Sequence, residues 1–170
     1  MSLRFAVLTV SDRSSRGERE DRSGPELVDV ISARGWQVTE RDIVPDEVER
    51  IAERFKAWAR AEDVDVILST GGTGFAPRDV TPEATKQVVE RAAPGLAEAM
   101  RSASLQITPH AMLSRAEAGI RGGTLIINLP GSPKAARENL EVVLPVLPHA
   151  VELLREDPGA EEGHLEVGEG

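Results

Sequence analysis

The sequence predicts an α/β protein, a sandwich of helices around a central, mostly parallel sheet. Three observations carry that prediction. Short runs rich in Val, Ile and Leu recur along the 170 residues in the manner of strands. Stretches with apolar residues at intervals of three and four lie between them and read as helices. The two kinds alternate, the order that parallel strands joined by right-handed crossovers produce.

RFAVLTV (4–10) suits a strand buried on both faces. A polar loop, SDRSSRGERED, follows. Ser23, with Pro25 just behind it, opens a helix through SGPELVDVISARG, and Gly35 supplies its stop. WQVTERDIV (36–44) reads as a second strand, whose imperfect alternation puts it toward an edge. Val48, Ile51, Ala52, Phe55, Trp58 and Ala59 mark one face of a helix that begins near Asp46 and runs to about Glu62. DVDVILST (63–70) is a third strand. Thr81 is placed to cap a helix with Pro82 in its first turn and Ala84, Val88 and Val89 inward. That helix pauses at Pro94-Gly95 and resumes through LAEAMRSASL. AEAGIRGGTLIINL reads as a hairpin turning at Gly122-Gly123. Ser132-Pro133 starts a further helix, which Pro145 and Pro148 must break or kink before HAVELL.

The bulk numbers set limits. Residues 1–156 are expected to form one domain, and the acidic, Gly-rich 157–170 a disordered tail. The absence of cysteine excludes disulfides and thiolate metal sites and fits a cytoplasmic location. A net charge of −9 argues against nucleic acid or an anionic membrane as the main partner. No apolar run approaches the roughly 18 residues of a membrane span. His110, His149 and His164 share no metal-like spacing, and Trp36 and Trp58 belong to the core or to a subunit contact.

In a parallel sheet the strand-to-helix loops emerge on one edge, where ligands bind. Four such loops here carry unusual chemistry. The first holds Ser11, Asp12, Asp21, Ser23 and Gly24, and the second Pro45-Asp46. The third is TGGTG with Asp79, and the last is NLPGSP. TGGTG lacks the Lys-Ser/Thr pair of a P-loop and is not GxGxxG. It can be a tight turn, but NLPGSP adds a second Gly loop feeding a helix N-terminus, a natural phosphate site. Asp79 can brace its own turn through the amides of Val80 or Thr81, and Asp46 can cap the helix it begins. Beside phosphates, two acids are tolerated when a hard cation such as Mg²⁺ sits between them. Arg78 and Lys134 are candidate phosphate clamps, or simply solvated.

TGGTG, PRDVTPEAT, PGLAEAMR, LSRAEAG and NLPGSPKA, preceded by VSDR and the D-x-SG at Asp21–Gly24, resemble the MogA/MoaB family of molybdenum-cofactor biosynthesis proteins. The likeness runs from about residue 4 to residue 155. It implies a three-layer, molybdopterin-binding-like fold with a mixed sheet, and a homotrimer or homohexamer. It implies ATP-dependent adenylylation of molybdopterin with release of pyrophosphate, and a molybdenum-insertion enzyme as candidate partner. The family's catalytic acids match Asp46 and Asp79, which would also hold Mg²⁺. Its nucleotide loops match Gly71, Gly72, Thr73 and Gly74, and Pro130, Gly131 and Ser132. Its pterin side matches Ser11, Asp12, Asp21, Ser23 and Gly24, with Ser114 and Arg115. The chain's length is closer to the MoaB side and its PGLAEAMR and LSRAEAG–NLPG stretches to the MogA side. Rival readings are a non-catalytic pterin-binding module and a nucleotide hydrolase.

Overall fold

The computed structural model describes residues 1–156, so the segment expected to be a disordered tail, 157–170, lies outside the described residues. Six strands form one sheet in the order β2-β1-β3-β6-β5-β4. Four of them, β1 (Arg4–Val10), β2 (Gln37–Val44), β3 (Val66–Thr70) and β6 (Thr124–Leu129), run parallel. β5 (Ala118–Arg121) and β4 (Arg91–Ala92) complete the sheet antiparallel to their neighbours. The mixed sheet and the edge position of β2 both match the sequence reading.

Strand alternation splits the core in two. Phe5, Val7, Val66, Leu68, Leu125 and Ile127 face one side. There they pack on α2 (Ser23–Ala33), α5 (Pro94–Leu105), α6 (Pro133–Val143) and α7 (Leu147–Leu154). Ala6, Leu8, Val10, Ile67 and Ile126 face the other, against α3 (Val48–Arg60) and α4 (Thr81–Val88). Each large aliphatic or aromatic side chain so buried contributes about 1.5–3 kcal/mol. Trp58 is in this second core and Trp36 stacks on Phe5 at 5.6 Å, so both tryptophans serve packing within the chain.

Several local expectations change. Asp12–Ser15 form a single helical turn, α1, inside what reads as polar loop. The pause before Pro94 is a true break: Arg91 and Ala92 pair with Ile120 and Gly119. A Cβ on Gly119 would sit 2.5 Å from Val89, so that crossing needs glycine. Asp46 does not cap α3, because Glu47 occupies the cap position. Thr81 is the first helical residue of α4 and not its cap, and its hydroxyl donates to Gly71 O at 2.9 Å. The hairpin turning at Gly122, the stop at Gly35 and the Ser132 cap of α6 form as read.

Register makes the site possible. Val10 pairs with Val44, Thr9 with Thr70, and Thr70 with Leu129, so the four parallel strands finish side by side. Their following loops therefore share one rim.

Candidate active site

At that rim the two glycine loops touch. Gly71 has φ +103°, and a Cβ there would lie 2.3 Å from Val10 O. A Cβ on Gly131 would lie 3.3 Å from Gly71 Cα. A side chain at Gly71 would strike the Val10 backbone, and one at Gly131 would press on Gly71. The neighbouring elements fix this contact: Thr70 Oγ1 donates to Pro130 O at 2.6 Å, and Ser23 Oγ to Gly131 O at 2.5 Å. Asn128, fully buried, donates to Ser69 and Thr85 and accepts from Glu117 N, locking the end of β6.

The acids converge on the same rim. Asp46 and Asp12 clasp each other through backbone and side chain: Asp12 N donates to Asp46 Oδ2 at 2.9 Å, and Asp46 N to Asp12 Oδ1 at 3.0 Å. Asp46 Oδ1 lies 3.1 Å from where a Cβ on Gly72 would be, which places the carboxylate against the glycine segment. Asp79 closes its own loop by accepting from Ala76 N at 3.0 Å, not from Val80 or Thr81. Asp21 accepts from Thr9 Oγ1 at 2.8 Å and from Gly24 N at 3.0 Å, fixing the start of α2. A cavity of about 630 Å³ opens between these groups, in the range of small-molecule sites.

Charge is uneven around it. Burial, reinforced by the Asp12 and Asp79 charges, pushes the Asp46 carboxyl above its ordinary value. Asp12 is held below its ordinary value because Arg78 grips it with Nε and Nη2, at 2.9 and 2.8 Å. Among the described residues no group of three or more acids and histidines forms a metal cage. Asp46 and Asp79 still suit Mg²⁺, which takes one or two carboxylates and completes its shell with substrate phosphates and water.

A match to the family model described as probable molybdopterin binding domain covers residues 6–149. The chain belongs to that family. Gephyrin from Dictyostelium discoideum is 51% identical over 162 residues, 89% of this chain, and the chain spans only 22% of that relative's length. A molybdopterin adenylyltransferase from Helicobacter pylori J99 is 44% identical over 155 residues, 90% of this chain and 88% of that protein. The crystal structure of the molybdopterin biosynthesis enzyme MoaB from Thermus thermophilus superposes with a TM-score of 0.86 at 52% identity. The superposition covers 92% of this chain and 98% of that one.

Most of the expected site residues fall to one of two cavities. Ser11, Asp21, Ser23, Asp46, Gly71, Gly72, Asp79, Gly131 and Ser132 line the large cavity. Asp12 stands behind Asp46, and Gly24 is buried under Asp21, where a Cβ would lie 2.4 Å from Asp21 Oδ2. Thr73, Gly74, Pro130 and Ser114 line a second, more apolar cavity of about 280 Å³ with Met100 and Asn139. Arg115 lines neither. Of the two candidate clamps, Arg78 is committed to Asp12, and exposed Lys134 lies 3.9 Å from Glu138.

Sequence reading missed Arg19 and Arg22, which line the large cavity from the first loop. Arg22 is 3.6 Å from Glu20, and Arg19 has no acidic partner among the described residues. The signal was present in RGEREDRSG, where Arg16, Arg19 and Arg22 recur every three residues into the D-x-SG turn. A charge run there reads first as solvated surface.

Proposed function

We propose that the protein is a molybdopterin adenylyltransferase that moves AMP from ATP to the terminal phosphate of molybdopterin. One observation carries the reading: two touching glycine loops and two carboxylates, Asp46 and Asp79, share a single cavity large enough for a nucleotide. The relatives named for that activity and matching most of the chain support it.

An oxygen of the molybdopterin phosphate attacks the α-phosphorus of ATP. The bond from that phosphorus to the bridging oxygen breaks, and pyrophosphate leaves in line. Such transfer needs positioning and charge neutralisation more than covalent help from the protein. The amides of Gly72, Thr73, Gly131 and Ser132 have no backbone acceptor among the described residues and are free for phosphate oxygens. The N-terminus of α6, opening at Pro133, adds partial positive charge beside Gly131 and Ser132. Asp46 and Asp79 would hold Mg²⁺, which supplies charge neutralisation on the phosphates when bound. The first loop, through Ser11, Asp21, Ser23 and Arg19, faces the same cavity and is assigned to the molybdopterin side.

For the assembly we propose a homotrimer or a homohexamer. Leu105, Ile107, Met112 and Leu113 stand exposed from the end of α5 into the turn that follows, a surface suited to a subunit contact. A light-scattering mass tests that assignment. The activity is tested by mixing the protein with molybdopterin and Mg²⁺-ATP and separating products by chromatography. Adenylylated molybdopterin is expected. Bound pterin without that product would leave a binding module, and ATP turnover without pterin a hydrolase.

A further inference from the structure

Arg115 touches neither cavity, yet all four of its nitrogens are engaged, and on one small piece of chain. Its backbone N–H donates to Thr73 O at 2.8 Å. Its Nε donates to Gly74 O at 2.8 Å, and Nη2 to Asp79 O at 2.6 Å. Nη1 pairs with Glu83 in the first turn of α4. The loop leaves β3 at Gly71 and returns at Thr81, so Arg115 grips it on both legs.

Peptide geometry extends the effect. Across a trans peptide the C=O and the following N–H point in opposite directions, and the described chain has no cis bond. Drawing the carbonyls of Thr73, Gly74 and Asp79 onto Arg115 therefore turns the N–H groups of Gly74, Phe75 and Val80 away from it. None of those three N–H groups finds a backbone acceptor among the described residues. The same grip fixes Asp79, whose carboxylate oxygen lies 2.8 Å from where a Cβ on Gly74 would stand. Only a planar fork of donors reaches two carbonyls and a carboxylate at once, so lysine is no substitute.

Building on the adenylyl-transfer reading, we infer that Arg115 is a positioning residue. It clamps the carbonyls of Thr73, Gly74 and Asp79, and so sets the Asp79 carboxylate at the large cavity and leaves the adjoining amides outside the clamp. It is a ligand of neither substrate, a different role from the one that the family resemblance implies for it. Glu83 orients the clamp from behind.

The test compares wild-type, Arg115→Lys, Arg115→Gln and Glu83→Gln proteins by two measurements on the full chain. Steady-state adenylylation is expected to lose about 100-fold in kcat in both Arg115 variants, the scale of a misplaced catalytic group. The KM for molybdopterin stays unchanged. Amide hydrogen exchange without substrates is expected to accelerate in peptides spanning 73–80 and to stay slow in β1 and β3. Glu83→Gln changes both readouts in the same direction and by less. A raised molybdopterin KM with normal kcat would make Arg115 a substrate ligand and overturn the clamp. Unchanged exchange over 73–80, or acceleration throughout the sheet, would also overturn it. If wild-type protein makes no adenylylated product, the transferase reading fails, and the exchange data alone decide whether the clamp exists.

Discussion

Two aspartates at opposite ends of the parallel strands put the same side chain to opposite uses. Asp65 precedes β3 at the edge remote from the cavity and is 4% exposed. It accepts from Arg4 N, Nε and Nη2 at 2.9, 3.2 and 3.0 Å, and from Arg155 Nη2. Burial pushes its carboxyl up, but the two guanidiniums outweigh that and hold it below its ordinary value. Asp46 follows β2 at the other edge, among Asp12 and Asp79, and is held above its ordinary value. One end of the sheet gives its acid cations and gains stability. The other gives Asp46 no direct cationic partner, and the fold carries there a charge that a cationic ligand would relieve. An aspartate short of partners marks function more clearly than a well-paired one.

Removing charge from the under-neutralised end without changing shape gives the largest effect. Asp79→Asn should keep the fold and pterin binding while lowering adenylylation turnover at least ~100-fold, as loss of a transition-state charge contact does. Steady-state kinetics beside circular dichroism reads it, and normal turnover would remove Asp79 from catalysis.

At the opposite end, Asp65→Asn should cost about 1.5–3 kcal/mol of stability, the worth of hydrogen bonds to a charged group, with unchanged turnover per folded molecule. Its folded pKa is depressed, so the stabilisation is full above the ordinary carboxylate pKa and lost as pH falls through the folded value. Denaturation midpoints of the two proteins should therefore differ at neutral pH and merge in acid.

Asp46→Asn should lose about tenfold in turnover, one step of ~1.4 kcal/mol, and melt higher than wild type at neutral pH. The raised folded pKa means wild-type stability is complete below the unfolded value and lost as pH rises through the folded one. The melting gap should open with rising pH, opposite in sense to the Asp65 pair. A melting point that falls while activity survives would make Asp46 a structural residue.

The smallest effect is expected at Arg78, whose positive charge lowers the Asp46 pKa. Arg78→Gln should move the acid limb of the pH–rate profile upward while leaving its plateau within about twofold, the size of a screened surface charge effect. An unmoved limb would separate Arg78 from the acids.

Much of the fold was legible because its signals are local. RFAVLTV and TLIINL are apolar enough to be central strands, Gly35 and Gly122 take positive φ, and Ser132 caps α6 through Ala135 N. The convergence of Asp46, Asp79 and the glycine loops followed from one rule about parallel sheets. What escaped depends on distant contacts. The two-residue strand β4 exists because Gly119 admits Val89. Asp46 prefers Asp12, 34 positions away, to the helix end beside it. Arg115 reads as one more cation in LSRAEAG until its partners 36 and 41 residues earlier come into view.

The approach of Gly131 to Gly71 leaves the two glycine loops mechanically joined. A designer wishing to widen the mouth cannot enlarge either loop freely, since a methyl group on Gly131 presses on Gly71 and one on Gly71 strikes the end of β1. Retooling this pocket therefore means rebuilding both segments together, or reshaping the first loop, where Arg19 and Arg22 offer the freer wall.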